Sequence, residues 1–440
     1  MKLLSIVVCF LCVNSLMASE TYKAGVLLQN KEINEFTPFI QQAGQTGVDI
    51  LVLPSLPGSA DKYDELVNSI SKTAKQAGVY VATHLYEKAR CGMAYETVRS
   101  NLVFDRNGDI AAVYRKPQNG IANCTTPHSD LVTFTADFGV TFGLVMEEDL
   151  ALYDAEHFKG VKNFVMAGEW ESEVALLNAA TFAPSWSYIM NANLVSTAGI
   201  YAGKSGLKTG DEKIAVAELS KNGGSASQTV LSTKPSASHQ ADLSQYVIRP
   251  LDLEASSMGY KDTVCHRSFC CEFYVKTASG GKNEASYKLA AFNGVLPVSD
   301  HHNIAAEICL ISGSENSDTV FERISLTANF TKQNSQFPLV QSAVLPAENF
   351  KFTTKASENS QQVTLEAVNV KNLQNVGIFG KDSAVLEDNY VYGEKNNTET
   401  VQADLYEYIF NEDVQEFFDY VWIRLRILIV VVSIYILEMM

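Results

Sequence analysis

Apolar and polar positions along this chain fall into two regimes. From Thr21 to about Lys234, short β-branched runs alternate with stretches of helical period. "YKAGVLLQ" and "VDILVLPS" are continuous apolar runs of the kind that strands buried on both faces show. The stretch between them is polar and helical in character. "DKYDELVNSISKTAKQAG" then places Leu66, Val67, Ile70 and Ala74 on one helical face, with Gly78 as its stop. "VYVATHLYE" predicts the next strand. "NLVFDRNGDIAAVYRK" predicts a hairpin about Asn107-Gly108, a dipeptide that suits a tight turn between paired strands. "FGVTFGLVM" and "KNFVMAG" predict further strands. A helix-like "ESEVALLNAATFAPSWSYIMNA" leads into the strand-like "NLVSTAG". This alternation predicts an α/β layered core.

The pattern changes from about Gly210 to Ala241. "SKNGGSASQTVLSTKPSASHQ" is rich in Ser, Gly and Lys and reads as loop and linker. Beyond it, strand-like runs recur without long helices: "FCCEFYVKTA", "YKLAAFNGV", "NIAAEICLI", "FERISLTANF" and "QQVTLEAV". They predict a mostly antiparallel β domain. The chain shows no internal repeat. It divides into residues 21–234 and 242–420, flanked by a short segment at each end.

The two ends change the picture. Lys2, the apolar run Leu3 to Val13 and the small residue Ala18 form a secretory signal pattern over residues 1–18. At the other end, Ile427 to Leu437 is apolar but shorter than the about twenty residues that span a bilayer. Residues 421–440 read as a GPI-attachment signal or membrane anchor, and the alternative is a last core strand. The expected location is the extracellular face of the membrane or the secreted fraction. A net charge of -16 excludes nucleic acid and anionic lipid surfaces as partners, since no basic patch offsets it.

An oxidising compartment gives the cysteines a different meaning. Six follow the signal segment: Cys91, Cys124, Cys265, Cys270, Cys271 and Cys309. An even count there implies disulfides and leaves the pairing open. Asn123, Asn329 and Asn396 each begin an Asn-x-Ser/Thr sequon and are glycosylation candidates. Asp300, His301 and His302 form the only histidine cluster. Adjacent histidines on a strand face opposite ways, so the cluster reads as surface loop, and the sequence implies no metal and no cofactor.

Several stretches together resemble the vanin/biotinidase branch of the nitrilase, or carbon–nitrogen hydrolase, superfamily. They are "DILVLPS", "NLVFDRNGDIAAVYRK", "DLVTFTADFGVTFG" and "SWSYIMNANLVSTAGIYAGKSG" in the first part, and "TVCHRSFCCEFYV" and "LAAFNGV…EICLI" in the second. The resemblance implies a nitrilase-type αββα sandwich followed by a smaller β-rich C-terminal vanin-type domain. It implies activity on linear amides of the pantetheine or biotinyl kind, through a cysteine nucleophile, a glutamate base and a lysine. That family also has a cysteine soon after the position of Cys309. Here the chain reads "ISGSENS", which implies that one disulfide is arranged differently.

Of the triad the resemblance implies, only the lysine is kept. Lys116 in "AVYRK" stands at its position. Ser55 stands where the family has glutamate, and a hydroxyl with no pKa near neutrality cannot serve as general base. The loop after Ser55 is also short. Matching on Phe142-Gly143 puts Glu147 at the cysteine and Asp149 at the aspartate that follows. One expectation is therefore a pseudoenzyme in which Glu147 pairs with Lys116, keeping at most a pocket for a small amide-containing ligand. The alternative is an amide hydrolase of altered chemistry using Lys116 and Glu147, with Glu147 and Asp149 on one side if the strand continues. A third reading takes Glu147 to Asp149 as a solvated helix start.

Overall fold

The computed structural model describes residues 20–387 apart from 29–34, 56–58, 92–93, 118–130, 169–180, 207–213, 225–242, 279–285, 300–301, 314–318, 332–333 and 345–348. The expected signal segment at residues 1–18, the C-terminal tail, Asn123, Asn396, Cys124, Asp300, His301 and most of the expected linker lie outside these residues. All described residues belong to one compact unit, which ends at Tyr390.

The first six-stranded sheet has the order β11-β1-β2-β3-β4-β5. Its strands are β1 (Thr21–Leu27), β2 (Ile50–Val52), β3 (Tyr80–Cys91), β4 (Ala94–Phe104), β5 (Ile110–Pro117) and β11 (Ile214–Ser220). β1, β2 and β3 run parallel, and the other pairings are antiparallel. Helices α1 (Thr37–Gln45) and α2 (Tyr63–Ala77) cover its outer face. Ile40, Ile70 and Ala74 pack there against Leu51, Val81 and Leu85. Gly78 ends α2 as expected, in a left-handed conformation with its N–H bonded to the Ala74 carbonyl at 2.8 Å.

A five-stranded sheet lies face to face with the first, in the order β10-β9-β8-β7-β6. It comprises β6 (Thr133–Thr135), β7 (Thr141–Leu144), β8 (Asn163–Met166), β9 (Asn193–Ser196) and β10 (Gly199–Ala202). Tyr22, Val26, Val52, Ala82 and Val103 of the first sheet meet Phe134, Phe142, Leu144, Val165 and Val195 of the second. The outer face of the second sheet carries α3 (Glu147–Leu152) and α4 (Phe182–Met190). Four layers, αββα, follow directly from which side chains share each core.

One expectation needs correction. The stretch from Gly210 was read as linker, yet Ile214–Ser220 is β11, paired with the whole of β1. Only its first two residues and Leu219 are buried, so the apolar signal in the sequence is weak. The backbone ladder to β1 supplies what the pattern lacks.

The remaining strands are all antiparallel. They form one nine-stranded sheet that folds back on itself: β12 (Val247–Pro250), β13 (Tyr260–His266), β14 (Phe269–Thr277), β15 (Tyr287–Ser299), β16 (His302–Gly313), β17 (Val320–Thr331), β18 (Asn334–Val344), β19 (Phe350–Ala356) and β20 (Ser360–Glu387). A short helix, α5 (Leu253–Ser256), joins β12 to β13. β20 is shared. Its first half pairs with β17 and β19, its second with β16 and β18. The two halves enclose a core of Phe273, Leu289, Ile311, Leu326, Leu365 and Ile378. Cys271 of β14 is bonded to Cys309 of β16 across that core, and Cys265 to Cys270 across the β13–β14 turn. Asn329 is exposed on β17.

The half containing β15, β16, β18 and the end of β20 is buried on both faces. Leu289, Ala291, Cys309 and Ile311 point into the sandwich. Ala290, Phe292, Ile308 and Leu310 alternate with them and point at α3 and α4. Phe182 of α4 packs on Phe337 and Phe379 at ring distances of 5.1 and 5.5 Å. Lys381 of β20, fully buried, reaches the Tyr153 carbonyl at 2.8 Å and the Asp154 carboxylate at 3.4 Å.

Candidate functional site

β4 and β5 place two cations side by side. Their hairpin register sets Arg99 directly opposite Lys116. Like charges opposed in a ladder repel unless something neutralises them. Here the neutralising groups come from α3. β7 ends at Leu144, and Met146 is extended. The Asp149 carboxylate accepts the Met146 N–H at 2.6 Å, which turns the chain into a short helix.

The strand therefore does not continue through the acidic run. Glu147, Glu148 and Asp149 follow one another round a first helical turn, so the expected alternation of Glu147 and Asp149 on one strand face does not arise. Nor is this a solvated helix start. Side-chain exposure is 10% for Glu147, 3% for Glu148 and 2% for Asp149.

Each acid has a partner. Glu147 accepts from Arg99 at 3.1 Å. Glu148 bridges both cations, through a short contact to Arg99 and a 3.2 Å contact to Lys116. Asp149 accepts from Lys116 in a short contact and from the Tyr114 hydroxyl at 3.1 Å. The expected Glu147–Lys116 pair is thus corrected: Lys116 belongs to Asp149 and Glu148, and Glu147 belongs to Arg99. Two cations face three carboxyls, a mismatch that favours a proton on one of the acids. Burial and the Glu148 charge beside it push Glu147 well above the usual carboxylate range, against the pull of Arg99. Burial acts on Glu148 in the same sense, but Lys116 and Arg99 outweigh it and hold it low. Burial opposes the Lys116 charge, and Asp149 and Glu148 overcome it, so the ammonium stays charged. Of the two glutamates, Glu147 is therefore the one that holds its proton more strongly.

A second set of polar groups braces the cluster. His84 Nδ1 lies 2.7 Å from the Asn101 side-chain oxygen, and Asn101 donates to the Val145 carbonyl at 3.0 Å. That chain ties β3 and β4 to the turn before α3. Gly168, at φ +101°, lies on the His84 ring, where a Cβ would come within 2.9 Å of it. Burial pushes His84 down to about 4, so it is neutral at physiological pH. Ser55 is half-buried just beyond β2, where Leu53 is held by Ala82 and Gly168 through the backbone. Among the described residues no hydrogen bond joins Ser55 to the cluster.

Arg99 and His84 were not singled out from sequence, and Glu148 entered only as one of the acidic run Glu147 to Asp149. Arg99 was within reach: it and Lys116 lie symmetrically about Asn107-Gly108, so the hairpin alone opposes them. Glu148 carried no such signal. Cys91 ends β3, Cys124 lies outside the described residues, and none of the four cysteines in the two described disulfides is free to act as nucleophile.

The chain matches the family model of the Vanin C-terminal domain over residues 236–385. It is 26% identical to vanin-like protein 2 of Drosophila melanogaster over 476 residues, covering 83% of this chain and 90% of that one. It is 28% identical to vanin-like protein 1 of the same organism over 290 residues, covering 54% of this chain and 52% of that one. The matches thus span about half the length of that relative and of vanin-like protein 3, and most of vanin-like protein 2. Among solved structures, an amidase from Nesterenkonia sp. shows 13% identity and a TM-score of 0.36, covering 47% of this chain and 93% of that one. The chain thus carries a Vanin C-terminal domain match over residues 236–385 and is similar over most of its length to a vanin-like protein.

Proposed function

We propose that this is a non-catalytic vanin-like protein, secreted or held at the extracellular face of the membrane. The observation that carries the reading is the occupancy of the seat above Lys116. Glu148 and Asp149 hold the lysine, Arg99 holds Glu147 and Glu148, and the group is closed to solvent. Neither Glu147 nor Ser55 supplies a thiolate. A carboxylate attacking an amide would give a mixed anhydride, a far poorer path than a thioester. Two disulfides among the described residues support an oxidising compartment. The tail at residues 421–440 is the proposed anchor. A small amide-containing compound is the proposed ligand class, and nucleic acid is not a proposed partner.

The test is turnover of pantetheine and of biotinyl amides by the purified protein. No hydrolysis is expected. Turnover lost on Glu147→Gln would overturn the proposal in favour of an amide hydrolase using Lys116 and Glu147. Restoring Ser55→Glu with Glu147→Cys should not recover activity, because Glu148 still claims the lysine. Adding Glu148→Leu should remove one of its two acidic partners and leave it to Asp149 alone.

A further inference from the structure

Two disulfides lie side by side in β14 and face opposite ways. Cys270 and Cys271 are consecutive strand residues, so their side chains leave on opposite faces. Cys271 is fully buried in the sandwich and bonded to Cys309, 38 residues further on. Cys270 is exposed on the outer face and bonded to Cys265, its direct partner in β13, which is also exposed. β13 is the last strand in the hydrogen-bonded order of its sheet, and both cysteines of the bond are exposed.

The turn between their strands is Arg267-Ser268, with Arg267 exposed at φ +55°. Lys261 of β13 shares the outer face with both sulfurs, and Glu272 of β14 lies there too. A cation beside a departing sulfur favours its thiolate form; Arg267 stands two residues from Cys265 along the chain, while Lys261 stands four away over the Tyr274 ring.

We propose that Cys265–Cys270 is an exchange site for low-molecular-weight thiols, while Cys271–Cys309 is inert. An incoming thiolate attacks one of the two sulfurs. A new S–S bond forms between them, the old one breaks, and its electron pair leaves on the other cysteine as thiolate. A second thiolate then attacks the sulfur of the bound small thiol, the mixed disulfide breaks, and its electron pair leaves on the cysteine. Both cysteines are left reduced, and the two small thiols are joined as a disulfide that has given up two electrons.

Opening this bond leaves the domain standing. β13 keeps its ladder to β14 over seven residues, and the Asn293 N–H of β15 still donates to His266 Nδ1 at 3.2 Å. The bond spans a sequence separation of only 5, against 38 for the buried one, so it constrains the unfolded chain far less. The inference is independent of the state of the Lys116 cluster.

The test is incubation of the native, full-length mature protein with reduced glutathione at neutral pH. Samples are quenched with acid, free thiols are alkylated, and the sites are mapped by mass spectrometry. Glutathione adducts and alkylation are expected at Cys265 and Cys270 while Cys271 and Cys309 stay bonded and the near-UV spectrum is unchanged. Arg267→Gln should slow the exchange about threefold, and the paired Cys265→Ser, Cys270→Ser variant should carry no adduct on this hairpin. Opening of Cys271–Cys309 at the same rate, or resistance of Cys265–Cys270 until denaturant is added, would overturn the proposal.

Discussion

Replacing Glu147 by Gln, and separately Glu148 by Gln, makes nearly the same chemical change at two adjacent buried positions. The charge balance of the cluster predicts very different costs. Glu147 is the acid pushed towards its neutral form, and Gln keeps its shape and a carbonyl oxygen for Arg99, so E147Q should cost under about 1 kcal/mol near neutrality. Glu148 is the anion shared by Arg99 and Lys116. E148Q removes two charge-assisted contacts, and Glu147 then ionises to cover Arg99. The net loss should be about 2–4 kcal/mol. With a urea m-value of about 3 kcal/mol/M, that moves the midpoint down by about 1 M. Unfolding can be followed by the fluorescence of Trp186, fully buried beside α3 and the second sheet. The pH dependence is a second signature. A carboxyl whose folded pKa is raised binds more protons when folded, so it costs stability as pH rises from its unfolded value to its folded one. Across that window wild type should lose up to about 1.4 kcal/mol per pH unit relative to E147Q. The infrared band of a protonated buried carboxyl should be present in wild type at pH 7 and absent in E147Q. Equal costs for the two substitutions, or no such band, would refute the assignment of the proton to Glu147.

Three further outcomes follow from the same structure. Burial holds Lys381 down to about 8, against the pull of Asp154, so the folded state binds fewer protons than the unfolded one between about pH 8 and the ordinary lysine range. Stability therefore rises with pH there, by up to about 3 kcal/mol, and Lys381→Met should abolish that rise in urea titrations at pH 7 to 10. His84, neutral down to about 4, should make the wild type lose up to about 3 kcal/mol between pH 6.5 and 4, and His84→Gln should flatten that limb of the acid profile. Phe182→Ala opens a cavity between α4 and the shared half of the β sandwich, and should cost about 3–5 kcal/mol in thermal or urea unfolding.

What the sequence disclosed and what it withheld divide along physical lines. β1, β2, β3 and the β4–β5 hairpin were legible because apolar runs and an Asn-Gly turn are local signals. β11 was not, since its pairing to β1 is set by backbone bonds across nearly two hundred residues of chain. The 28-residue β20 was read only at its start, "QQVTLEAV", because nothing local announces that one strand serves two halves of a sandwich. At the site, Ser55 and Glu147 were found by matching positions. The burial of three consecutive acids was not legible. A run such as Glu-Glu-Asp reads as solvated until two cations on a neighbouring hairpin are known to face it.

The half-sandwich with two buried faces carries a consequence for how the chain can be divided. Ile308 and Leu310 serve one core while Cys309 and Ile311 serve another. The helix layer of the α/β core thus has a tethered partner whose local concentration is fixed by the chain and unaffected by dilution. Cutting between the two parts would create two matching apolar surfaces at once, on α3 and α4 and on the outward side of β15 and β16. Fragments made that way should be recovered by co-expression rather than singly. Any second copy or partner must dock elsewhere, because the surface those helices would offer is already filled from within the same chain.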